Sequence, residues 1–500
     1  MTKSTITRRD LLKASGSAAA LAGLGAGIGT AKADEKNGAS TKSSDVRLAI
    51  IGTGTRGGQH IKEFSACTNV ALVAFCDVDK ARLNTTADQF EKDSGTKVER
   101  YTDYRKLLQS DQIDAVTIAT PNHWHVLNAI HAMQAGKHVS VEKPVCHTLW
   151  EGRQLVNASK KYDVISAAGF QNRSVSGLIE AMKLIHSGEY GAIKQVRGLC
   201  YRSRKGIGKV DQPTSPPSTM NYDLWLGPAA DVPVMRPNLH YDWHWDFNTG
   251  NGDMGNHGPH EMDLIRYALG DPMRHPKSVQ SIGGRFAWDD AGNTPNMQCA
   301  LFDYGDGIPV IFEVRNLHQK EKDKKFVGAF GEQSHPNIIV SMERGEFVGG
   351  RFKGVFKDNE GKVVHRTKGG DDHYQNFIDA VRNKDQSIIR STIESAFYSS
   401  CMSHLANISH LVGADATDQE IAANFSDHAV ATECFQRFNE QLDLWKVDRA
   451  KTPWKLGSKL AFDSDAEQFT AGDKFEEANT LLRRKDRESY QIPEIAGPSD

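Results

Sequence analysis

Apolar and polar positions follow one another along this chain in two rhythms. Between residues 46 and 170, short and nearly continuous apolar runs recur, separated by stretches with helical spacing. The first run, Val46-Arg47-Leu48-Ala49-Ile50-Ile51, has the pattern of a strand buried on both faces. Further runs cover 70–76, 113–119 and 138–141, with helix-like stretches reaching Phe64 and Gln134. Strands and helices alternating at this spacing predict a doubly wound parallel sheet. Its right-handed crossovers put every strand's C-terminal end along one edge. From about residue 171 the rhythm becomes that of alternating strands, such as 195–201 and 310–314. These predict an open, mainly antiparallel sheet with one face toward a site. Stretches at 371–381 and 393–412 predict two late helices. The expected fold is an α/β Rossmann domain over 46–170 and an α+β domain over 171–414. An extension over 415–500 is expected to pack on this body.

Length and composition change the picture little. Five hundred residues call for two domains or more. A net charge of −2 argues against a nucleic-acid binder, which needs a basic surface to track phosphates. The seven cysteines are scattered without a CxxC pair, so neither a metal site nor a disulfide framework is expected. The N-terminus adds more. Thr7-Arg8-Arg9-Asp10-Leu11-Leu12-Lys13 resembles a twin-arginine export motif, and an Ala/Gly-rich run follows it. Ala31-Lys32-Ala33 then fits a small-x-small cleavage site. Residues 1–33 are read as a signal peptide for the twin-arginine export machinery and 34–45 as a linker. The mature chain is expected in the periplasm or otherwise exported, with no stable membrane span.

Candidate chemistry starts after the first strand. Gly52-Thr53-Gly54-Thr55-Arg56-Gly57 is a G-x-G-x-x-G turn leading into a helix. Gly52 permits the tight turn, Gly54 lets backbone approach a pyrophosphate, and Gly57 allows close helix–strand packing. The diphosphate would sit at the helix N-terminus, beside Thr55 and Arg56. The second strand ends in Asp77, placed to accept hydrogen bonds from ribose hydroxyls and to repel a 2′-phosphate. NAD is therefore expected rather than NADP, although Lys80 and Arg82 stand close by. The third strand runs into Thr120-Pro121-Asn122-His123-Trp124-His125, and the fourth ends in Glu142-Lys143-Pro144.

With Ala119-Thr120-Pro121-Asn122 and Glu142-Lys143-Pro144 in place, the chain resembles the Gfo/Idh/MocA oxidoreductases over residues 46 to about 412. The resemblance implies that Lys143 lies near the nicotinamide and the substrate hydroxyl. It implies too that the segment through Asn122 and His125 runs along the cofactor, and that Glu142 is the ribose-side acid. The family's D-x-G-x-H-x-x-D helix maps onto Asn256, Gly258, His260 and Asp263, so His260 becomes the general acid/base. Asn256 departs from the family aspartate and can only orient, while His257 is the expected helper. A rival register pairs Asp253 with His257. Trp243, His244 and Trp245 offer aromatic faces and polar groups for a sugar.

The activity so implied is hydride transfer between NAD and a secondary hydroxyl of a sugar, cyclitol or glycoside. The alternative is an NAD-dependent glycoside hydrolase, because Asn256-His257-Gly258 is similar to the T-H-G motif of such relatives. An exported enzyme has no free dinucleotide to draw on, so a non-dissociating NAD is expected. A homo-oligomeric state is expected as well.

Overall fold

The computed structural model describes residues 45–317 and 337–497. The export motif, its cleavage site and the linker before Asp45 lie outside the described residues. The N-terminal part is a six-stranded parallel sheet in the order β3-β2-β1-β4-β5-β6. Its strands are β1 Val46–Ile51, β2 Val70–Cys76, β3 Glu99–Tyr101, β4 Ala115–Ile118, β5 His138–Val141 and β6 Ser166–Ala168. Leu48, Ala49 and Ile50 have no exposed surface, as a strand covered on both faces requires. Five helices connect the strands: α1 Thr55–Ser65, α2 Lys80–Ser94, α3 Tyr104–Leu108, α4 His125–Gln134 and α5 Leu149–Lys161. Side chains fix three of the starts. Asp79 accepts from the Ala81 amide at 3.1 Å, Asp103 accepts from the Arg105 amide at 3.0 Å, and Thr148 and Glu151 form a capping box on α5. α1 has no side-chain cap, because Gly54 holds that position.

The second sheet is larger and mixed. Its main path runs β14-β13-β12-β11-β7-β10-β9-β8-β16-β15. The strands are β7 Ile193–Arg204, β8 Ser278–Gly284, β9 Met297–Asp303, β10 Val310–Leu317, β11 Ile338–Met342, β12 Gly345–Gly349, β13 Lys353–Lys357, β14 Val363–Lys368, β15 Ala414–Ala416 and β16 Trp454–Leu456. β17 Leu460–Asp463 and β18 Gln468–Ala471 form a hairpin on the edge of β8. The sheet is mainly antiparallel, as its alternation predicts, but β7 and β10 at its centre pair in parallel. Nine more helices follow among the described residues: α6 Ser176–His186, α7 Tyr222–Leu226, α8 Gly252–Asn256, α9 Pro259–Ala268, α10 His373–Asn383, α11 Ile393–Leu411, α12 Asp418–Asn424, α13 Ala429–Leu444 and α14 Phe475–Thr480.

The two faces of β7 do different things. Gly198 leaves just enough room for α9: a Cβ there would stand 2.8 Å from the Ile265 side chain. Arg202 and Arg204 continue that face toward α8. Arg197 and Tyr201 point the other way, onto the buried Glu313, which also pairs with Arg437 of α13 at 2.9 Å. The extension therefore supplies strands and one covering helix of the second sheet.

Candidate active site and cofactor cavity

The C-terminal ends of β1, β2, β4 and β5 open into one cavity of about 330 Å³. Gly52, Gly54, Thr55, Arg56 and Asp77 line one side. Thr120, Pro121, Asn122, His125, Glu142 and Lys143 line the other, and Trp243 and Asn256 complete the wall from the second domain. Gly57 is not on the wall. A Cβ at Gly57 would meet the Gly52 carbonyl, so its lack of a side chain serves the turn itself. Gly52 has φ +89°, and a Cβ there would stand 2.8 Å from the Ala119 carbonyl oxygen. These glycines keep β1, β4 and α1 close enough for backbone amides to face the cavity.

The residues fit a dinucleotide. The first amides of α1 have no side-chain cap and suit a diphosphate. The side-chain amide Nδ2 of Asn122 and Oδ1 of Asn128 are buried without a partner among the described residues, and both residues line the cavity. Asp77 is fixed by the Thr53 amide at 2.9 Å and hydroxyl at 3.0 Å on one oxygen, and by the Asp79 amide at 3.0 Å on the other. Arg82 reaches the same corner: its guanidinium lies 3.0 Å from where a Gly54 Cβ would stand.

Glu142 has a role the sequence pattern does not reveal. Arg56 donates to it through Nε at 2.8 Å, and His60 Nε2 donates at 2.9 Å. Gln171 adds a third donor at 3.2 Å. Burial pushes the Glu142 carboxyl up, yet Arg56 and His60 more than offset it and hold it well below the usual carboxylate range. Arg56 and His60 are one helical turn apart on α1, and that i,i+4 spacing was the available signal. Through them the glycine turn is tied to the strand end that carries Lys143. His125 ties the wall again, its ring facing the Pro144 carbonyl at 2.6 Å and the Thr120 carbonyl at 2.8 Å.

Lys143 follows a buried strand and precedes a cis Pro144. Its ammonium donates to the Asn256 carbonyl at 2.5 Å. Burial lowers the Lys143 pKa, with Glu142 opposing. His260 stands on the first turn of α9, and its ring nitrogens have no hydrogen-bond partner among the described residues. Burial, reinforced by the charge of Lys143, holds its imidazole well below the usual range, so it is a neutral base. His257, with its ring centroid 5.7 Å away, is engaged on both nitrogens: Nδ1 faces Glu261 at 3.2 Å, and Arg202 donates to Nε2. Neither histidine lines the cavity itself.

Asp253 accounts for the asparagine at 256. It is fully buried and held by Arg204 at 2.8 and 3.0 Å and by Asn316 at 2.8 Å. Asn256 Nδ2 donates to it at 3.3 Å. The negative charge beside the histidines thus sits at 253, and residue 256 bridges to it. Trp243 reaches the cavity, but its two neighbours do not. His244 is buried with Nδ1 on the Tyr241 carbonyl, and burial takes its pKa down to about 4. Trp245 is a core residue under the Arg285 guanidinium, 4.9 Å from its ring centre. Arg202 and Arg204 are the polar neighbours that no motif announced; they were visible only as alternate positions on one strand.

Fold and cavity together define a two-domain protein built around a Rossmann dinucleotide site. The description "Oxidoreductase family, NAD-binding Rossmann fold" matches residues 46–170, and "Oxidoreductase family, C-terminal alpha/beta domain" matches residues 183–441. The chain belongs to the Gfo/Idh/MocA oxidoreductase family. A glycosyl hydrolase family 109 protein from Solibacter usitatus is 39% identical over 31% of this chain and 36% of its own length. A second, from Saccharopolyspora erythraea, is 33% identical over 37% of this chain and 44% of its own. An alpha-N-acetylgalactosaminidase from Shewanella oneidensis is 36% identical over 24% and 27%. The chain thus spans less than half the length of these curated relatives. Among solved structures, levoglucosan dehydrogenase in complex with NADH and levoglucosan superposes with a TM-score of 0.54 at 16% identity, covering 72% of this chain and 96% of that one. The WlbA dehydrogenase from Bordetella pertussis in complex with NADH and UDP-GlcNAcA gives 0.53 at 18%, covering 72% and 95%. At such identities the likeness is one of fold.

Proposed function

We propose that this chain is an exported, NAD-dependent oxidoreductase that moves a hydride between a tightly held cofactor and a secondary hydroxyl of a sugar, cyclitol or glycoside. The observation that carries the reading is the neutral, unengaged His260 beside Lys143, at the edge of a cavity built for a dinucleotide. When bound, the nicotinamide supplies the hydride acceptor. His260 takes the hydroxyl proton as general base. Lys143, steadied on the Asn256 carbonyl, offers its remaining N–H bonds to the developing negative charge on oxygen. Trp243 provides an aromatic face for the C–H side of a sugar ring. NAD is favoured over NADP by the Asp77 carboxylate on the cavity wall. The Arg8-Arg9 motif supports export to the periplasm through the twin-arginine machinery, and export in turn favours a cofactor that stays bound.

A second reading rests on the glycosyl hydrolase family 109 relatives. In it a sugar hydroxyl is oxidised transiently, the aglycone is eliminated, water adds and the hydride returns, so no net redox change occurs. Absorbance at 340 nm of the purified protein, followed during addition of sugars and glycosides, separates the two. Persistent reduction supports the dehydrogenase, and release of a reducing sugar without net reduction supports the hydrolase. Neither response across neutral, amino and acidic sugars would overturn both.

A further inference from the structure

Residues 205–251 leave the second domain at the end of β7 and return at α8, and between these points they cross the cofactor cavity. Two anchors hold this crossing to the Rossmann sheet. At the adenosine-side corner the Lys80 amide donates to Thr219 and the Asn221 amide to Val78, each at 2.9 Å. The Asp79 carboxylate receives Thr219 at 2.7 Å and His240 at 3.0 Å. At the β4 end, Trp124 Nε1 donates to the Trp225 carbonyl at 2.9 Å, and His123 faces the same oxygen at 3.1 Å. Between the anchors, Leu224 and Trp225 of α7 line the cavity. α7 is therefore its lid.

The far C-terminus closes over the outside of that lid. Arg487 donates to the backbone carbonyls of Asp223 and Gly227 at 3.2 and 3.1 Å and pairs with the Asp223 carboxylate. Tyr490 donates to the same carboxylate at 2.5 Å, and its ring packs edge-on against Trp124, 5.5 Å between centroids. Behind them Arg484 is fixed to Glu151 at 3.1 Å and to the His123 carbonyl at 2.9 Å. The segment is anchored on α5, where Gln154 receives the Ile495 amide at 2.8 Å. Tyr490 and Arg487 hold the Asp223 carboxyl below the usual range, so it is ionised near neutral pH.

We infer that Arg487 and Tyr490 are positioning residues for cofactor retention, a catch that holds α7 shut over the dinucleotide through Asp223. These residues lie beyond residue 441, where the family match ends. A closed cavity keeps its occupant by making release wait for the lid. The catch adds to the closed state the Arg487–Asp223 ion pair, the two Arg487 hydrogen bonds to the Asp223 and Gly227 carbonyls and the Tyr490–Asp223 hydrogen bond, and all of these must break for the lid to lift. The inference rests on the proposed NAD-binding reading.

The test is exchange of bound NAD in purified full-length protein. Holo-protein is mixed with excess isotope-labelled NAD and the bound fraction is followed by mass spectrometry. Exchange in Arg487→Ala/Tyr490→Phe should be about 10- to 100-fold faster than in the native chain. Arg487→Lys, which restores the charge, should recover most of the slow exchange. The melting temperature of cofactor-free protein should move little, since Asp223 is exposed, Arg487 is half-buried at the rim and Tyr490→Phe keeps the buried ring in place. Equal exchange rates in native and double-variant protein would overturn the catch, as would equal acceleration by Arg487→Lys and Arg487→Ala. A native chain that binds no NAD at all would instead overturn the oxidoreductase reading.

Discussion

At the scale of single residues, His257, just after α8, and His260 of α9 differ in what already holds them. His257 spends both nitrogens on Arg202 and Glu261, whereas His260 spends neither on any of the described residues. His260→Ala should therefore lower hydride transfer on the order of 10²–10⁴-fold while leaving cofactor content unchanged, and His257→Ala should act mainly on KM. The reverse ranking in steady-state kinetics would return the acid/base role to the Asp253–His257 register. Because His260 is held well below the usual imidazole range, the native rate should stay flat through neutrality and fall only at clearly acid pH. Asn256→Asp is a different experiment once Asp253 is in view. Sequence pattern alone makes it a restoration of the family carboxylate. In the structure it sets a second carboxylate against one that is fully buried. Like charges that close raise one carboxyl pKa, and such a group stabilises the fold below its ordinary pKa and loses that contribution as pH rises. The variant should melt lower than native near pH 7, by on the order of 2 kcal/mol, with the gap closing toward pH 4. A gap that widens on acidification would contradict this.

At the scale of elements, long apolar strands and the glycine turn were legible, because a parallel strand covered on both faces leaves an unbroken apolar run. β3 and β6, three residues each, were not, since so short a strand carries no periodicity. Nor could alternation reveal that β7 pairs in parallel with β10, because partner choice depends on what lies between them. The tie between α1 and β5 was hidden for another reason: Glu142 lies 86 residues from Arg56 in sequence, and no local signal spans that distance. Glu142→Gln tests the tie. Removing one member of a buried charged cluster costs about 3–5 kcal/mol, because Arg56 and His60 lose their shared partner. The sign with pH follows from the depressed Glu142 carboxyl. Its contribution is present above the ordinary carboxyl pKa and is lost as pH falls through the lower folded value. Thermal melts of native and variant should thus differ most near pH 7 and converge on acidification. A difference independent of pH would mean that packing, not the ionised carboxylate, holds α1 to β5.

At the scale of the whole molecule, the sequence marked residues beyond 414 as an extension, yet it could not say how far they belong to the core. Trp454 of β16 is fully buried among Phe286, Phe435 and Phe438, with ring centroids 4.5, 5.6 and 6.1 Å away. Arg437 brings two donors to the fully buried Glu313, at 3.0 and 2.9 Å. Without α13, the sheet face carrying Ile282 and Ile311 would meet water, and Glu313 would lose that partner. The extension and the catch therefore make opposite predictions on deletion. A chain ending at residue 414 should give no soluble protein with a cooperative melt, since both an apolar face and a charged cluster lose their cover. Trp454→Ala alone should cost about 3–5 kcal/mol through the cavity it leaves. The double variant of the catch should keep its fold and lose only its hold on NAD. Circular dichroism melts of the three proteins, taken with their bound-NAD content, distinguish a structural extension from a retention device. A folded, NAD-loaded chain ending at 414 would show that neither is needed.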